Sequence, residues 1–194
     1  MAQVRSLCVY CGSSARGRDS HHQAARQLGR LMAEARVRLV YGGGRIGLMG
    51  LIADAVLQGG GEVVGIIPRF LDQVEVGHSG VSRLIVTENM HERKEKMAEL
   101  SDAFVILPGG LGTLDETFEI LTWKQLQLHD KPVLVVDVDG YWQPLVDLVD
   151  RMIEENYAKP EHRALFRIVA GVDEVLPALA EMPEFRTEIE AKWM

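Results

Sequence analysis

Cysteine and positive charge are both scarce in this chain. Its two cysteines, Cys8 and Cys11, have a C-x-x-C spacing, which admits a redox dithiol or half of a zinc site. A redox pair sits at a helix start with its first thiol exposed, but Cys8 lies inside an apolar strand pattern, Leu7-Cys8-Val9-Tyr10. No second cysteine pair is present to complete a four-cysteine zinc site. Both cysteines therefore read as small buried hydrophobes. Acidic residues outnumber basic ones by 28 to 21, for a formal net charge of −7. Non-specific binding to nucleic acid or to an anionic membrane rests on basic surface, so neither partner is expected. No apolar run approaches the roughly 20 residues of a membrane-spanning helix. Met1-Ala2-Gln3-Val4-Arg5 leads straight into a strand pattern, without the apolar core of a signal peptide. A cytoplasmic protein is expected.

Several nucleotide and cofactor signatures are missing as well. There is no G-x-x-x-x-G-K-[ST], which argues against a P-loop NTPase. Gly42-x-Gly44-x-x-Gly47 matches the dinucleotide fingerprint, but the acidic residue required about 20 positions on falls near Glu62. Glu62 begins a strand instead of ending one, and the first strand has no such fingerprint, so NAD(P) is disfavoured. His21, His22, His78 and His129 include no i, i+4 pair for a helical metal site. None of Lys94, Lys96, Lys124, Lys131, Lys159 and Lys192 has the context of a pyridoxal-phosphate lysine. Neither metal nor cofactor is expected.

What is present is an alternation of apolar strands and helix-period segments over 194 residues, 47% hydrophobic and 25% charged. Strands are expected over 4–11, 37–41, 62–67, 83–86, 102–107, 132–136 and 166–169. Helices are expected over 19–35, from the glycine turn at 42–50 to about 58, and over 89–101, 117–128, 141–155 and 172–180. Residues 70–80 look irregular, and the last residues form a polar, helix-prone tail after Pro183. The pattern predicts one α/β domain spanning residues 1–194, a doubly wound, mostly parallel, Rossmann-like sheet with helices on both faces. Ligands bind such sheets at the carboxyl ends of the strands, near the point where strand order reverses.

Three loops should crowd there: Gly12 to Ser14, Gly42 to Gly47, and Gly109 to Thr113. The last lies in Pro108-Gly109-Gly110-Leu111-Gly112-Thr113-Leu114-Asp115-Glu116, between the apolar run Ala103 to Leu107 and a helix. Glycines let the backbone approach an anion, and the first free amides of the helix point at it. Thr113 adds a hydroxyl. Ser13, Gly43, Gly44 and Gly109 are the further binding candidates from these turns. Glu116 is expected in the first helical turn, where a carboxylate would repel a phosphate in the same place, which suggests that it faces the reacting centre. Arg93 and Lys94 follow a strand end and begin a helix against its dipole. They belong either to a ligand site or to a solvated helix face. Trp123 and Trp142 read as packing residues, and Asp137 and Asp139 as either cleft carboxylates or turn residues before Gly140.

Pro108-Gly109-Gly110-x-Gly112-Thr113-x-x-Glu116 together with Met90-x-x-Arg93-Lys94 resembles the LONELY GUY family of cytokinin-nucleotide phosphoribohydrolases. The resemblance runs from Tyr10-Cys11-Gly12-Ser13-Ser14 to Thr122-Trp123-x-Gln125-Leu126 and His129-x-Lys131-Pro132. It implies hydrolysis of the N-glycosidic bond of an adenosine 5′-monophosphate, typically N6-isoprenoid, to free base and ribose 5-phosphate. By that resemblance Arg93 and Glu116 are the catalytic pair. Lys94, Gly110, Leu111, Gly112, Thr113, Leu114, Asp115 and Thr122 contact the nucleotide, and the protein is a homodimer. Where some members carry an acidic residue after the Ile-Pro-Arg equivalent, this chain has Phe70. A non-catalytic nucleotide or molybdenum-cofactor carrier on the same scaffold and a general AMP nucleosidase are the alternatives.

Overall fold

The computed structural model describes residues 4–75 and 77–181. Its strands are β1 (Ser6–Tyr10), β2 (Arg38–Tyr41), β3 (Val63–Pro68), β4 (Arg83–Thr87), β5 (Ala103–Ile106), β6 (Val133–Val136) and β7 (Arg167–Val169). Its helices are α1 (Asp19–Glu34), α2 (Gly47–Gln58), α3 (Arg69–Glu75), α4 (Met90–Glu99), α5 (Leu111–Gln125), α6 (Gln143–Glu154) and α7 (Val175–Glu181). The seven strands form one sheet in the order β4-β3-β2-β1-β5-β6-β7. Every pairing between them is parallel. Strand order reverses between β1 and β5, so the expected switch point lies between the loops after Tyr10 and Ile106.

The central strands are apolar on both sides because both faces of the sheet are covered. Leu7, Val9, Leu39 and Val105 pack under α1, α2 and α7, while Cys8, Tyr10, Phe104 and Val135 pack under α4, α5 and α6. Helices α1 and α2 meet closely at Gly29, where a β-carbon would lie 2.7 Å from that of Ala55. The sheet also settles the cysteine question. Side chains alternate faces along a strand, and Cys8 packs on one face while Cys11 packs on the other. Both are free and buried, and burial pushes both thiols up, away from reactivity.

Three expectations change. Residues 69–75, expected to be mostly irregular, form α3, too short a segment for an apolar period to show. The expected first strand, 4–11, contracts to Ser6–Tyr10. Helix α5 opens at Leu111 rather than near Thr117, so Glu116 lies in its second turn and not its first. The glycines that suggest a loop make up its cap and first turn. The expected C-terminal tail lies outside the described residues.

Candidate active site

The N-terminus of α5 lies at the switch point of the sheet. Gly110 is its N-cap, in an extended conformation with no side-chain cap. The first intrahelical bond runs from the Leu114 amide to the Gly110 carbonyl at 3.0 Å. The amides of Leu111, Gly112 and Thr113 precede any intrahelical acceptor and face outward with the positive end of the helix dipole. Gly110 and Gly112 are exposed, and Leu111 is 86% exposed. Thr113 instead folds back and is buried, its hydroxyl lying where a β-carbon on Gly109 would go. The Gly109 carbonyl accepts a 2.6 Å bond from the Tyr141 hydroxyl. The neighbouring loop is tied on through Gly12, whose amide donates to the Pro108 carbonyl and whose own carbonyl accepts from Leu48. Ser13 is exposed and stands against Gly47, which has a φ of +67° and where a β-carbon would lie 2.5 Å from the Ser13 carbonyl carbon.

The second glycine turn has a different task. The Arg93 guanidinium is buried beneath it. Nε donates to the Ile66 carbonyl at 3.1 Å and Nη2 to the Gly42 carbonyl at 3.2 Å. Nη1 faces Glu116 Oε1 at 3.4 Å, with the two side chains 8% and 9% exposed. Any side chain at Gly42 would collide with Nη2. The Gly43 carbonyl accepts from the His78 amide at 3.0 Å, and Gly44 pairs with Gly77. Both Gly43 and Gly44 are buried, so these two candidate ligand residues are packed against protein.

Arg93 and Lys94 sit early in α4 because the helix start is otherwise well satisfied. The Asn89 side chain caps it by accepting from the Glu92 amide at 2.9 Å, and Glu92 in turn accepts from the Glu88 amide. Lys94 turns toward α5 and pairs with Asp115 at 3.1 Å and Glu119 at 3.0 Å. Burial pulls its proton affinity down, but the bonds to Glu119 and Asp115 outweigh that and raise it overall. Leu114 is half-buried beside Thr113. Thr122 is exposed and donates to the Phe118 carbonyl at 2.7 Å. It stands eleven residues along α5 from Leu111, roughly 16 Å in helical rise, and so lies apart from the start of its own helix.

Sequence reasoning missed three participants. Asn89 was legible as an N-cap three residues before Glu92. Tyr141 as a support for Gly109, and Gly42 as a seat for Arg93, had no local signal. Asp137 has a turn role, accepting from the Trp142 amide at 2.6 Å, and Asp139 takes a left-handed φ of 56°. Among the described residues, no three His, Cys, Asp or Glu side chains cluster as metal ligands, and no helix is long and apolar enough to cross a membrane.

A doubly wound parallel sheet with an exposed helix N-terminus at its switch point defines a Rossmann-like α/β protein. A family profile described as "Possible lysine decarboxylase" matches residues 49–179. The cytokinin riboside 5′-monophosphate phosphoribohydrolase LOG7 of Arabidopsis thaliana is 41% identical over 192 residues, covering 98% of this chain and 88% of its own. LOG5 of the same plant is 42% identical, covering 92% of this chain and 78% of its own. The chain belongs to this family, the LOG phosphoribohydrolases. Among solved structures, the Moco carrier protein of Chlamydomonas reinhardtii matches with a TM-score of 0.69 at 21% identity, over 91% of this chain and 95% of its own. The molybdenum cofactor binding protein of Rippkaea orientalis matches with a TM-score of 0.66 at 21% identity, over 90% and 94%. These two similarities concern the fold alone.

Proposed function

We propose that this chain is an N-glycosidase that hydrolyses cytokinin riboside 5′-monophosphates, N6-substituted adenosine 5′-monophosphates, to free base and ribose 5-phosphate. The observation that carries this reading is the buried Arg93–Glu116 pair, whose glutamate lies one to two helical turns below an open anion seat on its own helix. Glu116 is five residues beyond Leu111, roughly 7.5 Å in helical rise, which suits the separation of a 5′-phosphate from C1′ of the same sugar. The named activity of the family's curated members supports the same assignment.

In this mechanism the amides of Leu111, Gly112 and Thr113, with the close backbone of Gly109 and Gly110, hold the 5′-phosphate. Ser13 approaches the same seat from the loop after β1. Binding energy from this unreacting group positions C1′. Cleavage of the ribosyl–base bond builds oxocarbenium character at C1′. Glu116 stabilises that charge and orients and deprotonates the attacking water, help worth roughly 10²–10⁴-fold. Arg93 holds Glu116 aimed, since its own position is fixed by two backbone carbonyls.

The chain acts as a single domain, in the cytoplasm, and as a homodimer. Exposed Leu111, Leu126 and Leu128 along and beyond α5 support a partner surface there. Thr122, out of reach of its own seat, would stand at that surface. The acidic net charge of −7 supports a small-molecule substrate over nucleic acid or membrane. Decarboxylation on a lysine-bound cofactor is not favoured, because Lys124 and Lys131 each donate to a backbone carbonyl and Lys94 is held by two carboxylates.

The test is to incubate pure protein with AMP, N6-isopentenyl-AMP and the two corresponding nucleosides, and to measure free base. Release from the N6-substituted monophosphate and none from its nucleoside is the expected result. Release from nucleosides alone would remove the phosphate seat from the reaction. Equal turnover of AMP would make the enzyme a general AMP nucleosidase.

A further inference from the structure

Successive residues on α4 reach across to successive faces of α5. Arg93 meets Glu116. Lys94, about 100° further round its helix, meets Asp115 and Glu119, which are four apart and so share one ridge of α5. The Lys94 side chain is only 8% exposed, with an oxygen on either side at 3.1 and 3.0 Å. An ammonium has three donors, and two of them point at these carboxylates. A phosphate dianion brought to Lys94 would also be brought to Asp115 and Glu119, which would repel it. The phosphate seat at the start of α5 needs no such approach, since it is made of backbone amides.

We infer that Lys94 is a positioning residue for the N-glycosidic cleavage and not a phosphate ligand: it clamps Asp115 and Glu119 and so fixes the rotation of α5 that sets Glu116 against Arg93. This rests on the N-glycosidase reading above. The geometry gives the clamp its leverage. Helix α5 carries both the phosphate seat and Glu116, so a rotation about its axis moves the carboxylate sideways while the amides at its tip stay nearly in place. Binding of the phosphate group would survive loss of the clamp, and the chemistry would not. A displacement of about 1 Å in such a constellation costs on the order of 100-fold in rate.

The test compares wild type with Lys94→Met, which keeps the length of the stem and removes the charge. Turnover of N6-isopentenyl-AMP gives kcat and KM, and competition by ribose 5-phosphate reports the phosphate seat. The expected result is a kcat lowered on the order of 10- to 100-fold, with the inhibition constant of ribose 5-phosphate within about twofold of wild type. An inhibition constant that rises in step with the loss of rate would make Lys94 a phosphate ligand. An unchanged kcat would remove it from the mechanism. The double variant Asp115→Asn with Glu119→Gln should reproduce the loss from the other side of the clamp, and adding Lys94→Met to it should cost little more. Fully additive losses overturn the clamp. If wild type releases no base from any monophosphate, the N-glycosidase reading falls by itself. The same three variants then decide the clamp by denaturant unfolding, where additive destabilisation overturns it and non-additive destabilisation supports it.

Discussion

Nη2 of Arg93 fills the space that a β-carbon would need at residue 42, and donates to the Gly42 carbonyl at 3.2 Å. The glycine is required because the arginine is there. With Nε held by the Ile66 carbonyl, the guanidinium is fixed to the ends of β2 and β3 before it meets Glu116. Gly42→Ala is therefore expected to push Arg93 out of register and lower kcat on the order of 10- to 100-fold, with a smaller change in KM. Gly171→Ala, at a site with open space around the position, should leave both parameters at wild-type values and serves as the control. Wild-type kcat in Gly42→Ala would mean that the seat of Arg93 has no bearing on turnover.

Glu116→Gln keeps the shape of the side chain and removes its charge. The loss of a positioned base should lower kcat by roughly 10²–10⁴-fold. Binding of the nucleoside monophosphate, measured by calorimetry, should persist because the seat at Leu111 to Thr113 is untouched. Substantial retained turnover would take Glu116 out of the mechanism.

The fold was legible because the central strands are apolar runs and the longer helices, such as α1 and α6, have a regular apolar stripe, whereas α3 is too short to show one. The runs at 103–107 and 133–136 announce burial on both faces, and strand-helix alternation announces a parallel sheet. The strand-to-helix turn at Gly109 to Thr113 was legible for the same local reason, since its glycines lie consecutively between a strand and a helix. What was not legible depends on contacts between distant segments. The turn at Gly42 has the sequence form of a phosphate loop, and only the arrival of Arg93, 51 residues away, makes it a seat for a guanidinium. Lys94 reads as a ligand or solvated residue until Asp115 and Glu119 are seen beside it. Tyr141 carries no signal at all, because its hydroxyl meets a carbonyl 32 residues back in the chain.

That hydroxyl gives a third prediction. Tyr141 donates to the Gly109 carbonyl at 2.6 Å, with His21 edge-on to its ring at a centroid distance of 5.2 Å. Tyr141→Phe keeps the ring and deletes one hydrogen bond, a change worth about 0.5–1.5 kcal/mol. Gly109 leads directly into the seat, so the loss should appear in KM for the monophosphate, raised roughly 2- to 10-fold, with kcat close to wild type. A fall in kcat at unchanged KM would place Tyr141 with the reacting groups instead of behind the phosphate.

His129 should make folding stability depend on pH. Its Nε2 lies 2.9 Å from the Ile120 carbonyl and its Nδ1 accepts from the Lys131 amide at 3.1 Å, so both nitrogens are satisfied in the neutral ring with the proton on Nε2. Burial lowers its proton affinity and the nearby Lys124 and Lys131 lower it further, while the Ile120 bond and Asp130 act in the opposite direction. The folded state thus binds the proton less readily than the unfolded state. As pH falls through about 6.5, the ordinary histidine value, the unfolded chain takes up the proton first and stability drops. The one-proton limit on that slope is about 1.4 kcal/mol per pH unit. His21 is shifted the same way, so wild type alone does not isolate the effect. The comparison with His129→Gln does: denaturant unfolding between about pH 7 and about pH 5 should show the stability advantage of wild type shrinking as pH falls. An advantage that stays constant across that range would mean that protonation of His129 costs the fold nothing.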